Sequence, residues 1–182
     1  MRRVWLSQTR LATEGSGGLN ARSTSTIGHD LAAAVADSLG QLATEVEYIG
    51  STAVPRLLAK PIIDLAIGVT PGSNFSDVER QLTATGWIYR GDAGDSGGHV
   101  FVLESQPGFR IAHAHGVPHG GLQWNQYIEF RELLRADPLA RNTYTTRKAL
   151  LLAGLRGDEI RSRYTEQKTS VVEALLSGRH LR

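Results

Sequence analysis

The stretch Tyr48–Val69 concentrates side chains that could do phosphate and metal chemistry. Gly50 lacks a Cβ, so its backbone can approach a ligand closely. Ser51 and Thr52 follow with two hydroxyls and two backbone N–H groups, a natural cradle for phosphate oxygens. Lys60 adds a cation, and Pro61 forces an extended entry into Ile62-Ile63-Asp64-Leu65-Ala66-Ile67-Gly68-Val69. That segment reads as a strand apolar on both faces, interrupted by Asp64. A buried ionised carboxylate costs several kcal/mol, of order, without a partner or metal. Its place soon after a phosphate-type turn suggests that Asp64 holds a cation over a polyphosphate.

A second cluster lies in Arg110-Ile111-Ala112-His113-Ala114-His115. Histidines two apart on a strand share one face. They could equally be half-buried and hydrogen-bonded to neighbours. His119 sits in a Pro-His-Gly-Gly segment and reads as a loop residue. Tyr144 with Lys148, and Tyr164 with Lys168, are spaced four apart and so share a helix face. A half-buried tyrosine beside a solvated lysine is the plain alternative for each pair.

Several elements must position these residues. Residues 1–27 read as a poorly defined arm, with Gly-rich and Ser/Thr-rich runs, and residues 28–182 as a single domain. Leu31, Val35, Leu39 and Leu42 fit an amphipathic helix over 28–42. Glu45–Ile49 forms the strand entering the Gly-Ser turn. A short helix begins near Phe75 and ends before Gly86. Trp87–Tyr89, His99–Glu104 and Phe109–Val117 read as strands, the last two joined by a Ser105–Gly108 turn. The 91–98 segment suits a solvated hairpin loop better than a cation site. The final third is helical: Trp124–Arg135, then a helix capped by Asp137-Pro138 and running to about Leu155, then one from Asp158 to about Leu176.

Composition narrows the functional classes. The 182 residues suit one domain, and 41% apolar content is compatible with a globular chain. No run approaches the roughly 18 apolar residues of a membrane span. The start Met-Arg-Arg-Val-Trp-Leu is basic but lacks the apolar core of a signal peptide. Zero cysteines removes thiol catalysis, disulfides and cysteine metal sites, and fits a cytoplasmic setting. A net charge of +2 is too mild to imply nucleic-acid binding without a basic stripe. Only Lys60, Lys148 and Lys168 are lysines; every other basic residue is arginine. A GC-rich genome would give that bias, yet all three lysines fall in candidate motifs, as compact ammonium sites would.

Ile-Gly-Ser-Thr-Ala-Val-Pro followed by Leu-x-Ala-Lys-Pro-Ile-Ile-Asp resembles the signature of the GrpB family, a branch of the nucleotidyltransferase-like fold. The resemblance extends to the Arg then His-x-His, a Phe130-Arg131 pair and both Tyr-x-x-x-Lys pairs, roughly residues 28–176. It implies an α+β fold: a mixed β-sheet flanked by helices, with C-terminal helices. Two departures stand out. Arg56 occupies a position where the family usually has Gly, and Ala66 stands where many enzymes of the wider superfamily carry a second strand acid.

The resemblance implies a Mg²⁺- (or Mn²⁺-) dependent enzyme that uses ATP or another nucleoside triphosphate on a small-molecule acceptor. Gly50, Ser51 and Thr52 would hold phosphates. Asp64 would bind the metal. Lys60, Arg110, Lys148 and Lys168 would balance phosphate charge, and Tyr144 would touch base or ribose. His113 or His115 would take the place of a third acidic ligand, as metal ligand, phosphate donor or general base. The product could be a nucleotidylated acceptor or an acyl-adenylate for amide formation. A non-catalytic nucleotide-binding or scaffold module is the third option.

Overall fold

A computed structural model describes residues 21–94, 98–154 and 170–178. Described residues up to Tyr127 form one compact unit, and those from Ile128 a second.

The first unit is an α+β layer. Its five strands are β1 (Ala43–Ile49), β2 (Ile63–Val69), β3 (Ile88–Asp92), β4 (His99–Gln106) and β5 (Phe109–Pro118), in the order β1-β2-β5-β4-β3. Only β2 and β5 run parallel among these neighbours; the other pairs are antiparallel. The sheet is therefore mixed, and β2 lies inside it, as its apolar run requires.

One face is covered by α1 (Ala21–Leu39) and α2 (Phe75–Ala84). Leu31, Val35 and Leu39 of α1 and Val78 and Leu82 of α2 join Ile63, Leu65, Ile67, Phe101, Ala112 and Ala114 in the core. Strand alternation sends Asp64, Ala66, Gly68, His113 and His115 to the opposite face.

The helix over 28–42 is displaced. The structure carries α1 back to Ala21, and residues 40–42 form a separate 3-10 turn. The Ser/Thr run assigned to an arm is therefore helical, with Thr24 buried. Gly28 lies inside the helix. A Cβ there would come within 2.5 Å of the Tyr48 ring, so the glycine permits close helix–sheet packing.

Turn chemistry fixes the remaining joints. The Asn74 side chain accepts from the Ser76 N–H at 3.0 Å and caps α2. Pro107 and Gly108, the latter with φ +84°, join β4 to β5, as a type II turn demands. Asp92 accepts from the Gly94 N–H at 2.8 Å, a loop-forming contact.

In the second unit, α3 (Leu122–Ala136) continues past Tyr127, followed by α4 (Pro138–Gly154). The Leu139 N–H donates to Asp137 Oδ1 at 2.7 Å, the expected cap. Residues 170–176 are helical. No described helix is long and apolar enough to cross a membrane.

Candidate functional site

The connection between β1 and β2 wraps its backbone onto the Asp64 side chain. Gly50 adopts φ +74° and ψ −172°, a conformation essentially confined to glycine. A Cβ at Gly50 would collide with Asp64 Oδ2. Glycine is thus required twice, for the dihedral and for the approach. Ser51–Ala53 then form one 3-10 turn, in which the Gly50 and Ser51 carbonyls accept from Ala53 and Val54. The Thr52 hydroxyl donates to the Ile62 carbonyl at 3.0 Å. That bond ties the turn to the entrance of β2, and while it holds, the hydroxyl proton is not available to a phosphate.

The segment from Val54 to Ile62 is built from proline turns. The Leu57 N–H donates to the Val54 carbonyl across Pro55-Arg56, with Arg56 at φ +66°. This is a type II turn position that favours glycine. The family departure at Arg56 therefore sits at a strained dihedral. The Ile62 N–H donates to the Lys60 carbonyl at 2.7 Å, a tight turn about Pro61 that launches β2.

Parallel pairing of β2 with β5 sets Asp64 beside His113 and Ala66 beside His115. His113 Nδ1 lies 3.2 Å from Asp64 Oδ1. An ionised carboxylate only accepts, so Nδ1 carries the proton and donates. In that tautomer Nε2 carries the lone pair. Both side chains are about a quarter exposed, 25% and 29%, so Asp64 is not the fully buried charge that β2's apolar run suggested. It faces solvent on the side of the sheet away from α1 and α2.

The first turns of α3 bring two aromatic rings to this face. Tyr127 lies with its ring centroid 5.5 Å from that of His115, and Trp124 sits 5.0 Å from His119. Burial, with a smaller contribution from the Asp64 charge, pushes the Tyr127 phenol well above its usual range, so it stays protonated. From the sequence Tyr127 reads only as an apolar helix position; its contact with His115 emerges only in the fold. Glu47 is a second such residue. It pairs with Ala66 across β1 and β2 and so stands on the Asp64 face.

The GrpB protein family profile matches residues 25–177, which takes in the turn, Asp64, both histidines and α3. The chain belongs to the GrpB family. It is 31% identical over 147 residues to the glutamate-rich protein GrpB of Alkalihalophilus pseudofirmus, covering 76% of this chain and 80% of that one. It is 34% identical over 143 residues to a UPF0157 protein of Streptomyces coelicolor, covering 79% and 72% respectively. Its fold matches the crystal structure of the conserved protein GrpB from Enterococcus faecalis with a TM-score of 0.65 at 26% identity, covering 84% of this chain and 94% of that one.

In this GrpB chain the other candidate residues divide sharply. Lys60 is exposed in the segment that leads into β2. Arg110 is exposed opposite Glu104, which accepts from Arg90 and from the Gly108 N–H. Tyr144 is 2% exposed, edge-on to Phe130, with the Lys148 ammonium 5.9 Å from its ring. A ring so buried packs the second unit rather than offering a face to base or ribose, which corrects that expectation. Tyr164 and Lys168 lie outside the described residues.

The donor set suits a hard cation at Asp64 better than a three-ligand cage. Among the described residues no three His, Cys, Asp or Glu side chains group to hold a metal ion. The expected set of Asp64, His113 and His115 is therefore not assembled as a three-ligand group. Mg²⁺ commonly takes one or two carboxylates and completes its shell with water and phosphate, which Asp64 beside the Gly50 turn could provide. A cavity of about 250 Å³ lies elsewhere, lined by Val69–Ser73, Phe75, His99 and Gly116–Pro118; neither Asp64 nor His113 borders it.

Proposed function

We propose that this chain is a Mg²⁺-dependent nucleotidyltransferase-type enzyme that uses ATP or another nucleoside triphosphate on a small-molecule acceptor. The observation that carries this reading is the approach of the Gly50 backbone to the Asp64 carboxylate, so close that no other residue fits. An anion-holding turn and a cation-holding acid are thereby fixed side by side, as in-line phosphoryl chemistry requires.

The parts act as follows. Ser51 and the turn backbone hold phosphate oxygens, and exposed Lys60 offsets their charge. Asp64 would hold Mg²⁺, which when bound would neutralise charge developing on the phosphates. His113, with Nδ1–H donated to Asp64, presents Nε2 to the incoming acceptor. The acceptor oxygen attacks the α-phosphorus, its proton passes to Nε2, and the bond to pyrophosphate breaks. A carboxylate acceptor would instead yield an acyl-adenylate for attack by an amine, giving an amide-forming ligase.

The second reading is a nucleotide-binding module without turnover, favoured by Ala66 at the position of the superfamily's second acid. Pyrophosphate release from a panel of nucleotides, with Mg²⁺ or Mn²⁺ and small acceptors, separates the two. Acceptor-dependent release that is lost in Asp64→Ala supports the enzyme. Tight nucleotide binding without release assigns the module, and no binding under any condition overturns both.

A further inference from the structure

Of the two aromatic rings that α3 brings to the Asp64 face, Tyr127 is the one against the His-x-His pair, and the mechanism above leaves it unused. Tyr127 reaches the site from the first turns of α3, on the side of the sheet shared by Asp64, His113 and His115. Its ring meets His115 at 5.5 Å between centroids, with the planes inclined by 49°. Its hydroxyl makes no hydrogen bond among the described residues and is not one of the buried polar atoms left without a partner, so it is open to solvent. An accessible phenol O–H on this face is a donor that a ligand acceptor can reach.

The chemistry of that donor narrows the ligand. A tyrosine hydroxyl is protonated at neutral pH, and both its burial and the neighbouring Asp64 charge oppose ionisation. It therefore cannot serve as a base here. Polyphosphate oxygens are acceptors only, and a neutral O–H adds no charge while meeting one of them. Ala66 stands between Asp64 and Gly68 on the strand below, its methyl group fully covered.

We propose that Tyr127 is a substrate-contacting residue of this site: its ring seats the His115 imidazole, and its hydroxyl donates to a phosphate oxygen of the bound nucleotide. This rests on the nucleotide reading above. Tyr127→Phe keeps the ring and removes the donor; Tyr127→Leu removes both.

The test combines calorimetric titration with Mg²⁺-ATP and with inorganic triphosphate, and side-chain NMR of His115 in the free protein. Tyr127→Phe is expected to bind both ligands about tenfold more weakly, the loss of one hydrogen bond to a charged group. It should melt at the wild-type temperature and keep the His115 ring signals in place. Tyr127→Leu is expected to bind as weakly and also to shift those signals, through loss of the ring current. Wild-type affinity in Tyr127→Phe overturns the donor role while leaving the nucleotide reading intact. Unshifted His115 signals in Tyr127→Leu overturn the seating role. Failure of the wild-type protein to bind either ligand removes the nucleotide reading and the donor role together, and the NMR comparison still decides whether Tyr127 seats His115.

Discussion

The same chemical pair is built twice on one face of the sheet. His113 donates to Asp64 at 3.2 Å, and His119 Nε2 lies 3.4 Å from Glu45 Oε2. Both imidazoles are about equally exposed, at 25% and 30%. Their surroundings differ. His113 faces the Gly50 turn through Asp64. His119 is seated between Trp124 and Gly68, where a Cβ on Gly68 would meet His119 Cδ2 at 2.7 Å and Trp124 at 2.9 Å. A carboxylate–imidazole pair alone therefore does not make a site. What distinguishes Asp64–His113 is the adjoining Gly50 turn, to which the proposal gives the anion; what distinguishes Glu45–His119 is packing against Trp124 at the start of α3.

The histidines give the largest contrast. His113→Ala is expected to lower turnover at least about a hundredfold, the usual scale for losing a general base, with the melting temperature nearly unchanged. His119→Ala should leave turnover within about twofold and destabilise by about 1–2 kcal/mol, through the lost contact with Trp124. Paired kinetics and thermal melts on both variants check this. Exchanged behaviour would assign catalysis to the wrong pair.

The two glycines sharpen the comparison. Gly50→Ala forces a side chain into a glycine-only dihedral and onto the Asp64 carboxylate, and should cost about 1–3 kcal/mol while also abolishing nucleotide binding. Gly68→Ala should cost a similar amount, about 1–3 kcal/mol by overpacking, with nucleotide affinity kept. Denaturant unfolding beside ligand titration separates the outcomes. The smallest effect belongs to the rim of the turn. Arg56→Gly relieves the strained φ of +66° and should raise stability by about 1 kcal/mol without altering turnover. An unchanged unfolding midpoint would show that the arginine side chain compensates for its dihedral.

Much of this was legible in the sequence because the signals were local. The apolar run of β2, the Asp137 cap and the Ser105–Gly108 turn each follow from neighbouring residues. The His-x-His spacing correctly placed both rings on one face. What the sequence could not supply was lateral. Pairing of Asp64 with His113 needs the parallel register of β2 and β5, which no local pattern encodes. Tyr127 looked like one apolar position among several in its helix, and only the fold brings it against His115. Gly28 looked like a helix boundary because glycine is a poor helix former; close packing against Tyr48 overrides that preference. Thr52 looked like a phosphate donor, but its hydroxyl closes the turn onto Ile62. Tyr144 looked like a ligand platform from its spacing with Lys148, whereas burial against Phe130 makes it a core ring.

The central claim is that the Gly50–Ser51 turn and Asp64 form one magnesium–phosphate site. Calorimetric titration of ATP in the presence and absence of Mg²⁺, on wild type, Ser51→Ala and Asp64→Asn, addresses it directly. The account predicts that Mg²⁺ tightens ATP binding to the wild type, that Asp64→Asn loses this enhancement, and that Ser51→Ala binds ATP more weakly with or without the metal. Equal Mg²⁺-dependent affinity in all three proteins would contradict it.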